Sequence, residues 1–446
     1  MADSTLDLLD TLVKSAMKGG ADAADAVAVD ARSKGVSWRD GKMEDVEGAE
    51  GEDIGLRVMI GKKQAMVSTS DRRPESLKIL VERTLDMAKA VPEDEYCGLA
   101  PEDKLAHGPF PDLELYDDTE VSAGMLREIA KEAEDAARAV AGVTNSDGAG
   151  ASAGSYAISL ITSHGFSGHY KGSSFSSSIS AVAGEGTLME RDYDFCSKRH
   201  FADMESPAAI GKKAGELAVA LLNPCKPESK SMPLVFEPRV AKSLLDHFTG
   251  AISGGSVARG TSFLKDMMGE AIFASGINII DDPFIKRGLA SKVFDGEGVA
   301  MAKAHLVHSG ILQTWLLNSA TARQLGLDVT GHASRGTSSA PGISCSNLYM
   351  EAGTLSPTEL MADISEGIYI TSLIGMGVNG VTGDYSRGAG GFMIRNGEIC
   401  EAVSEFTIAS NLKDMFKAAV PASDLEMKYG NNAPSVRIDG MMVASV

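Results

Sequence analysis

Pro238-Arg-Val-Ala-Lys-Ser-Leu-Leu-Asp-His-Phe-Thr-Gly-Ala-Ile-Ser-Gly-Gly-Ser-Val-Ala-Arg-Gly260 is the stretch on which the reading of this chain turns. Apolar residues fall at Val240, Ala241, Leu244, Leu245, Phe248 and Ile252, the spacing of a helix with one buried face. Pro238 suits the first helical position, where a missing N–H costs no hydrogen bond. Gly254 and Gly255 predict the helix end, where a positive φ is commonly needed. The apolar run Met232 to Phe236 predicts a short strand before it. The unit is therefore strand, buried helix, glycine-rich loop.

The chain has 446 residues, enough for two or three domains with substantial cores. Hydrophobic residues make up 43% and charged residues 23%, which is ordinary for a globular protein. A net charge of −19 argues against nucleic acid as the main partner, because affinity for a phosphate backbone rests on clustered Lys and Arg. Cys97, Cys196, Cys225, Cys345 and Cys400 are scattered and form no Cys-x-x-Cys pair. That pattern fits a reducing compartment rather than a disulfide framework. The acidic, amphipathic start does not read as a signal peptide. The run Leu217 to Leu222 is too short to span a bilayer. The expectation is a cytoplasmic protein with neither membrane nor nucleic acid as partner.

Outward from the central helix, the chain divides into three units: 1–110, 111–225 and 226–446. In the first, Ser4-Thr5-Leu6-Asp7 opens a helix with Leu6, Leu9, Val13 and Ala16 on its buried stripe. Ala26 to Asp30 predicts a strand, Asp40-Gly41 a hairpin turn inside Val36–Val46, and Gly61 another inside Leu56–Ser68. Glu44 to Asp53 holds six acidic residues in ten and reads as a solvated loop. Pro74 to Ala90 predicts a helix. Val91 to Pro111, with four prolines and little periodicity, reads as a linker. In the second unit, Thr119 is expected to cap a long helix reaching Val140. Strands follow at Val143–Ala149, Tyr156–Thr162 and Phe166–Ala183, then a helix from Ser206-Pro207. Helix, strands, helix thus recurs, an order that suggests an internal duplication.

The third unit turns strongly β after its helix. Strands are expected at Ala271–Ile280, Tyr369–Ile374, Gly391–Ile394 and Glu398–Ser404, with a hairpin at Ser309-Gly310. Two glycine-rich stretches, Gly331–Pro341 and Gly375–Gly391, read as loops around a groove. The overall class is α+β: two helix-and-antiparallel-sheet units followed by a β-rich domain. Gly375-Met376-Gly377-Val378-Asn379-Gly380 matches Gly-x-Gly-x-x-Gly, but no helical stripe follows, and phosphate binding at a helix N-terminus needs that helix. Tight β-turns are the better reading. His305-x-x-His308 would be a metal pair on a helix. In a strand, residues three apart face opposite sides. Ser262-x-x-Lys265 lacks any supporting element for a serine nucleophile.

Taken in order, Gly-Leu-Arg-Val from residue 55, Arg287-Gly288, Phe294-Asp-Gly-Glu-Gly298, Gly310-Ile-Leu312 and Glu366-Gly-Ile-Tyr369 resemble the TldD/PmbA family over essentially the whole chain. The resemblance implies that the helix of the opening stretch corresponds to one carrying a His-Glu-x-x-x-His zinc motif in the TldD branch. There the glutamate serves as general base. Aligned on Leu244-Leu245 and Gly250, the first histidine falls on Asp246, the glutamate on His247 and the second histidine on Ala251. The TldD-branch zinc also takes a cysteine near the C-terminus, and the corresponding tail, Lys428 to Val436, has none. The chain thus resembles the metal-less PmbA branch, also called TldE, with no catalytic or metal residues of its own.

What the resemblance implies is a heterodimer with a TldD-type zinc peptidase subunit. Zinc and catalysis would sit on the partner, and this chain would form one wall of a channel for unfolded peptides such as leader regions of modified precursors. An extended peptide can add to a sheet edge through its backbone alone. His247, Arg259, His332, Gly375, Gly377, Asn379 and Gly380 are the candidate groove or partner-facing residues. A homodimer is open for the chain in isolation. Two other readings remain: an autonomous peptidase with a non-standard site built on Asp246, His247 and the Gly-rich loops, and a regulatory protein acting on DNA gyrase, as an older family name implies; Asp246, His247 and His332 are also the residues from which a different metal site would be assembled.

Overall fold

The computed structural model describes residues 2–445. The chain opens with α1 (Ala2–Lys18), β1 (Ala23–Arg39), β2 (Lys42–Ile60), β3 (Lys63–Thr69) and α2 (Pro74–Ala90). It continues with α3 (Ala123–Arg138), β4 (Val143–Thr162), β5 (Ser167–Ala183), β6 (Glu190–Lys198) and α4 (Pro207–Ala220). The six strands form one sheet in the order β3-β2-β1-β4-β5-β6. β1 and β4 pair antiparallel from Asp25↔Thr162 to Trp38↔Ala149, so the two helix-and-sheet units share a single sheet. The strand order is symmetric about that pair, and helix–three strands–helix occurs on each side. α1 and α2 cover one end with Leu9, Leu12, Leu80 and Leu85. α3 and α4 cover the other with Leu126, Ala130, Ile210 and Ala214.

Local chemistry explains most of these boundaries. Asp40 and Gly41 both have positive φ, 50° and 71°, as a two-residue type I′ hairpin requires. Their N–H groups each donate to the buried Glu134 carboxylate at 2.8 Å, which ties the hairpin tip to α3. The cap of α3 is Ser122, whose hydroxyl accepts from Met125 N at 3.2 Å. Thr119 instead donates to Asp117 at 2.7 Å in the preceding turn. The strands expected at Val143–Ala149 and Tyr156–Thr162 are one strand. The small residues between them have weak β propensity, but ladders on both sides hold them extended. The expected linker is packed rather than free. Leu105 and Leu113 bury against Phe166 and Phe294, and Ala106 N donates to Gly298 O at 2.8 Å.

The C-terminal part begins with β7 (Ser231–Phe236), α5 (Pro238–Ile252), α6 (Gly254–Ala258), β8 (Ile279–Asp282), β9 (Ala304–His308), β10 (Ile311–Leu312) and α7 (Ser319–Leu325). Next come β11 (Ala333–Ser334), β12 (Gly342–Ile343), β13 (Asn347–Met350), α8 (Pro357–Met361), β14 (Glu366–Ile374), β15 (Asp384–Arg395) and β16 (Glu398–Asn411). The chain finishes with α9 (Leu412–Ala418), β17 (Val420–Pro421), β18 (Asn431–Asn432) and β19 (Val436–Ser445). One sheet runs β16-β15-β14-β7-β19-β17, and a further β16–β19 pairing closes five of its strands into a ring. A second sheet runs β10-β9-β8-β13-β18. α5 follows β7 and buries Leu244, Leu245, Phe248 and Ile252 in the large core shared by both.

Three expectations change here. α5 ends at Ser253 in extended conformation, and Gly254-Gly255 start α6 instead of capping α5. Gly254 is there for space: a Cβ would lie 2.6 Å from Leu317 Cδ2. Of Ala271–Ile280 only the end is strand, because Ala271 makes an isolated bridge to Ile311 before the chain turns. His305 and His308 do not face opposite sides. The β8–β9 register skips Leu306, and this bulge brings the two rings to 5.2 Å. Among the described residues no third ligand joins them.

A buried charge network joins the two halves. Arg57 Nε donates to Asp25 at 2.7 Å, Arg335 pairs with the other oxygen of Asp25, and Glu297 lies 3.9 Å from Arg57 and accepts from Ser319 N at 2.8 Å. All four side chains are 3–4% exposed. Arg335→Ala leaves Asp25 with half its partners in a water-excluded place, and is expected to cost roughly 3–5 kcal/mol. Chemical denaturation of variant and wild type measures it; a loss under about 1 kcal/mol contradicts this role for the network.

Candidate functional site

α5 presents its packing face to the core and its polar face, Asp246, His247 and Gly250, to a cavity of about 310 Å³. Ala251 and, past α6, Phe263 also line it. Opposite stand Met376, Val378 and Gly380 from the β14–β15 loop, Arg387 from β15 and Leu412 from α9. The N-terminal end of α5 is anchored to the first sheet. Arg239 donates to both oxygens of Asp192 in β6, at 2.7 and 3.0 Å, and also pairs with Glu237. Lys242 lies 3.7 Å from the centre of the Tyr429 ring.

The three positions aligned with zinc ligands and base hold other chemistry. Asp246 accepts from Asn431 Nδ2 at 2.7 Å, so the C-terminal tail does reach this helix, but it brings an amide. His247 packs edge-on to Tyr385 with ring centres 5.9 Å apart, and its Nε2 is buried without a hydrogen-bond partner. Burial first, then the Arg387 charge, lowers the His247 pKa against the pull of Asp246, so the imidazole is neutral at neutral pH. Ala251 offers no donor. Arg387 puts a positive charge into the space a metal cation would need, and no carboxylate lies within ion-pair distance of it among the described residues. These residues do not fit a zinc ion. No group of three His, Cys, Asp or Glu among the described residues is placed to hold a metal.

The other candidate residues separate. Gly380 lines the cavity, and its carbonyl accepts from Phe263 N at 3.0 Å. Gly375, Gly377 and Asn379 shape the loop that forms this wall. Gly375 has φ 82°, a Cβ on Gly377 would fall 1.9 Å from Ser386 O, and the Asn379 side chain accepts from Val381 N at 2.9 Å. No helix follows, and the chain runs straight into β15. His332 is elsewhere: it is buried, 3.2 Å from Asp281 and 2.9 Å from Thr330 Oγ1. Asp295 accepts from the next backbone N–H, Ala333, at 3.0 Å, which draws this segment inward. Arg259 is exposed at the end of α6, outside the cavity. Ser262 accepts from Leu264 N at 2.9 Å in a tight turn, while Lys265 points to Asp266, so they make no nucleophile pair.

The residues missed by sequence reasoning are Tyr385 and Arg387. They were hidden in the stretch Gly375–Gly391, whose second part is β15. Glycines there permit close approach: a Cβ on Gly391 would lie 1.9 Å from Tyr369 O. The alternation Tyr385-x-Arg387, putting two donors on one face of a strand, was the available signal.

Three family models cover the chain: PmbA/TldA metallopeptidase domain 1 over residues 24–88, the central domain over 116–222 and the C-terminal domain over 229–445. The chain belongs to the PmbA/TldD metallopeptidase family. It is 36% identical over 435 residues to a metalloprotease PmbA homolog of Haemophilus influenzae, covering 97% of this chain and 94% of that one. It is 35% identical over 443 residues to metalloprotease PmbA of Escherichia coli O157:H7, covering 98% and 96%. A Bacteroides thetaiotaomicron structure described as a candidate modulator of DNA gyrase superposes with a TM-score of 0.92 at 25% identity, covering 100% and 99%. TldE from Thermococcus kodakarensis shares the fold, with a TM-score of 0.88 at 22% identity and coverage of 98% and 100%.

The anchor of α5 gives a pH signature. Burial pushes Glu237 up to about 7 from its ordinary 4.5, against the pull of Arg239. The native state therefore binds this proton more tightly than the unfolded chain. Its contribution to stability is full below about pH 4.5 and is lost as the pH rises through about 7. Glu237→Gln removes the slope, so its Tm relative to wild type should rise between about pH 5 and about pH 8. A constant difference across that range contradicts the assignment.

Proposed function

We propose that this chain is the PmbA/TldE-type subunit of a two-subunit peptidase. A TldD-type partner holds zinc and cuts, and this chain forms the other wall of a channel for unfolded peptides, leader regions of modified precursors among them. The pair works in the cytoplasm as a heterodimer. The observation that carries the reading is the face of α5. Where the family's zinc helix bears ligands, this one bears Asp246 bound to an amide, a buried neutral His247 and Ala251, opposite the Arg387 guanidinium. Catalysis then has to come from a second chain. The rim supports the same reading, since Ile374, Met376 and Val381 are 69%, 92% and 56% exposed beside the cavity. Apolar side chains this exposed and this close together favour a surface that another protein covers.

The test is zinc content and peptidase activity of this chain, alone and copurified with the TldD-type protein of the same cell. About one zinc per pair, with activity only in the mixture, is expected. Stoichiometric zinc and activity in the lone chain, abolished by Asp246→Ala, would overturn the proposal in favour of an autonomous enzyme.

A further inference from the structure

Three polar side chains meet beside α5: His247 and Arg387 on the cavity wall, and Tyr385 packed edge-on behind the His247 ring. His247 Nε2, Tyr385 Oη and Arg387 Nε are all buried and all lack a hydrogen-bond partner. Tyr385 is 2% exposed, and burial pushes its hydroxyl up to about 12, against the pull of the neighbouring Arg387 charge, so it stays protonated. A buried donor left unmade costs free energy, and a guanidinium costs more than a neutral group. Three such costs at one point mark a place built for an acceptor. Among the described residues Asp246 is the only acidic side chain on the cavity wall, and it is already engaged by Asn431.

We propose that this cavity binds a carboxylate, and specifically the free α-carboxylate at the C-terminus of a peptide. Arg387 meets the anion as a planar fork, while Tyr385 and His247 donate from the side. One cation suits a monoanion. A phosphate dianion would call for a second cation, and here the remaining charge on the wall is the acid Asp246. Phe263, Leu412 and Ala251 supply an apolar wall for the side chain that carries the carboxylate. The volume, about 310 Å³, is at the small end for ligand pockets and fits a terminal residue rather than a long segment. This inference rests on reading the groove as a peptide channel, and it gives that channel a polarity: the α-carboxylate end of the peptide lies against this chain.

The experiment is a fluorescence-anisotropy titration of the full chain with an N-terminally labelled Ala/Leu decapeptide in three forms: free acid, C-terminal amide, and amide with a penultimate glutamate. The free acid is expected to bind about tenfold tighter than the amide, with the glutamate peptide behaving like the amide. Arg387→Met should erase the preference while leaving the Tm within a few degrees of wild type, and Arg387→Lys should restore part of it, as a role for the positive charge requires. Equal binding of acid and amide overturns the pocket and leaves the channel reading standing. Binding of the glutamate peptide at the level of the acid moves the ligand to an acidic side chain and overturns the terminal assignment. Displacement by millimolar inorganic phosphate but not by acetate overturns the carboxylate. If no peptide binds, the pocket fails, whereas the subunit reading is decided separately by the zinc and activity measurement.

Discussion

Arg57 and Arg335 come from distant parts of the chain to share Asp25 and Glu297 in a junction that excludes water. Two cations and two anions cancel there, which is why they tolerate burial. Such a set is weak evidence of net stability, since desolvation offsets most of the attraction. Its consequence is geometric. Only one approach of the β11–β12 hairpin to the first sheet pairs all four charges, and Gly55 in β2 leaves room for it, since a Cβ there would meet Thr337 O at 2.0 Å. Phe294, tilted against Phe110 and edge-on to Phe166 and Tyr170, seals the same junction with apolar surface.

From that junction the position of α5 follows. Glu237 and Arg239 fasten its start to Asp192 of the first sheet, while Phe248 and Ile252 fasten its length to the C-terminal core. The helix is thus held at both the charged and the apolar end. Its polar face is held against the glycine-rich loop at a fixed separation, and the cavity is what remains between them. Side chains carried on a helix and a strand are placed more closely than side chains on loops would be.

The fold class was legible because periodicity and turn chemistry are local. Asp40-Gly41, Ser309-Gly310 and the stripe of α5 announce themselves within a few residues. The long strands were not, because the Gly, Ala and Ser of β4 carry no β signal of their own and become strand only when β1 and β5 flank them. The site was half legible. Asp246, His247 and Ala251 could be set against a known helix, and Gly380 sits in a loop whose glycines invite attention. His332 looked available because nothing in the sequence says that Asp281 and Asp295 draw its segment inside. Arg387 was invisible for the opposite reason: it stands in a glycine-rich run that resembles a loop, and what matters about it is a missing partner, which sequence cannot display.

That last point bears on how a helix can present different chemistry without a change of fold. The residues that pack α5, Leu244, Leu245, Phe248 and Ile252, are not the residues that face the cavity. Asp246 can therefore vary without touching the core, whereas His247 packs on Tyr385 and Ala251 belongs to the core itself, and the helix is held by apolar burial. Arg387 and Asp246 share the cavity wall, but only Asp246 is engaged, by the Asn431 amide, while no ion pair holds Arg387 among the described residues. The helix and loops can then be retained while the chemistry they present differs, the separation of scaffold from chemistry that one fold hosting several roles requires.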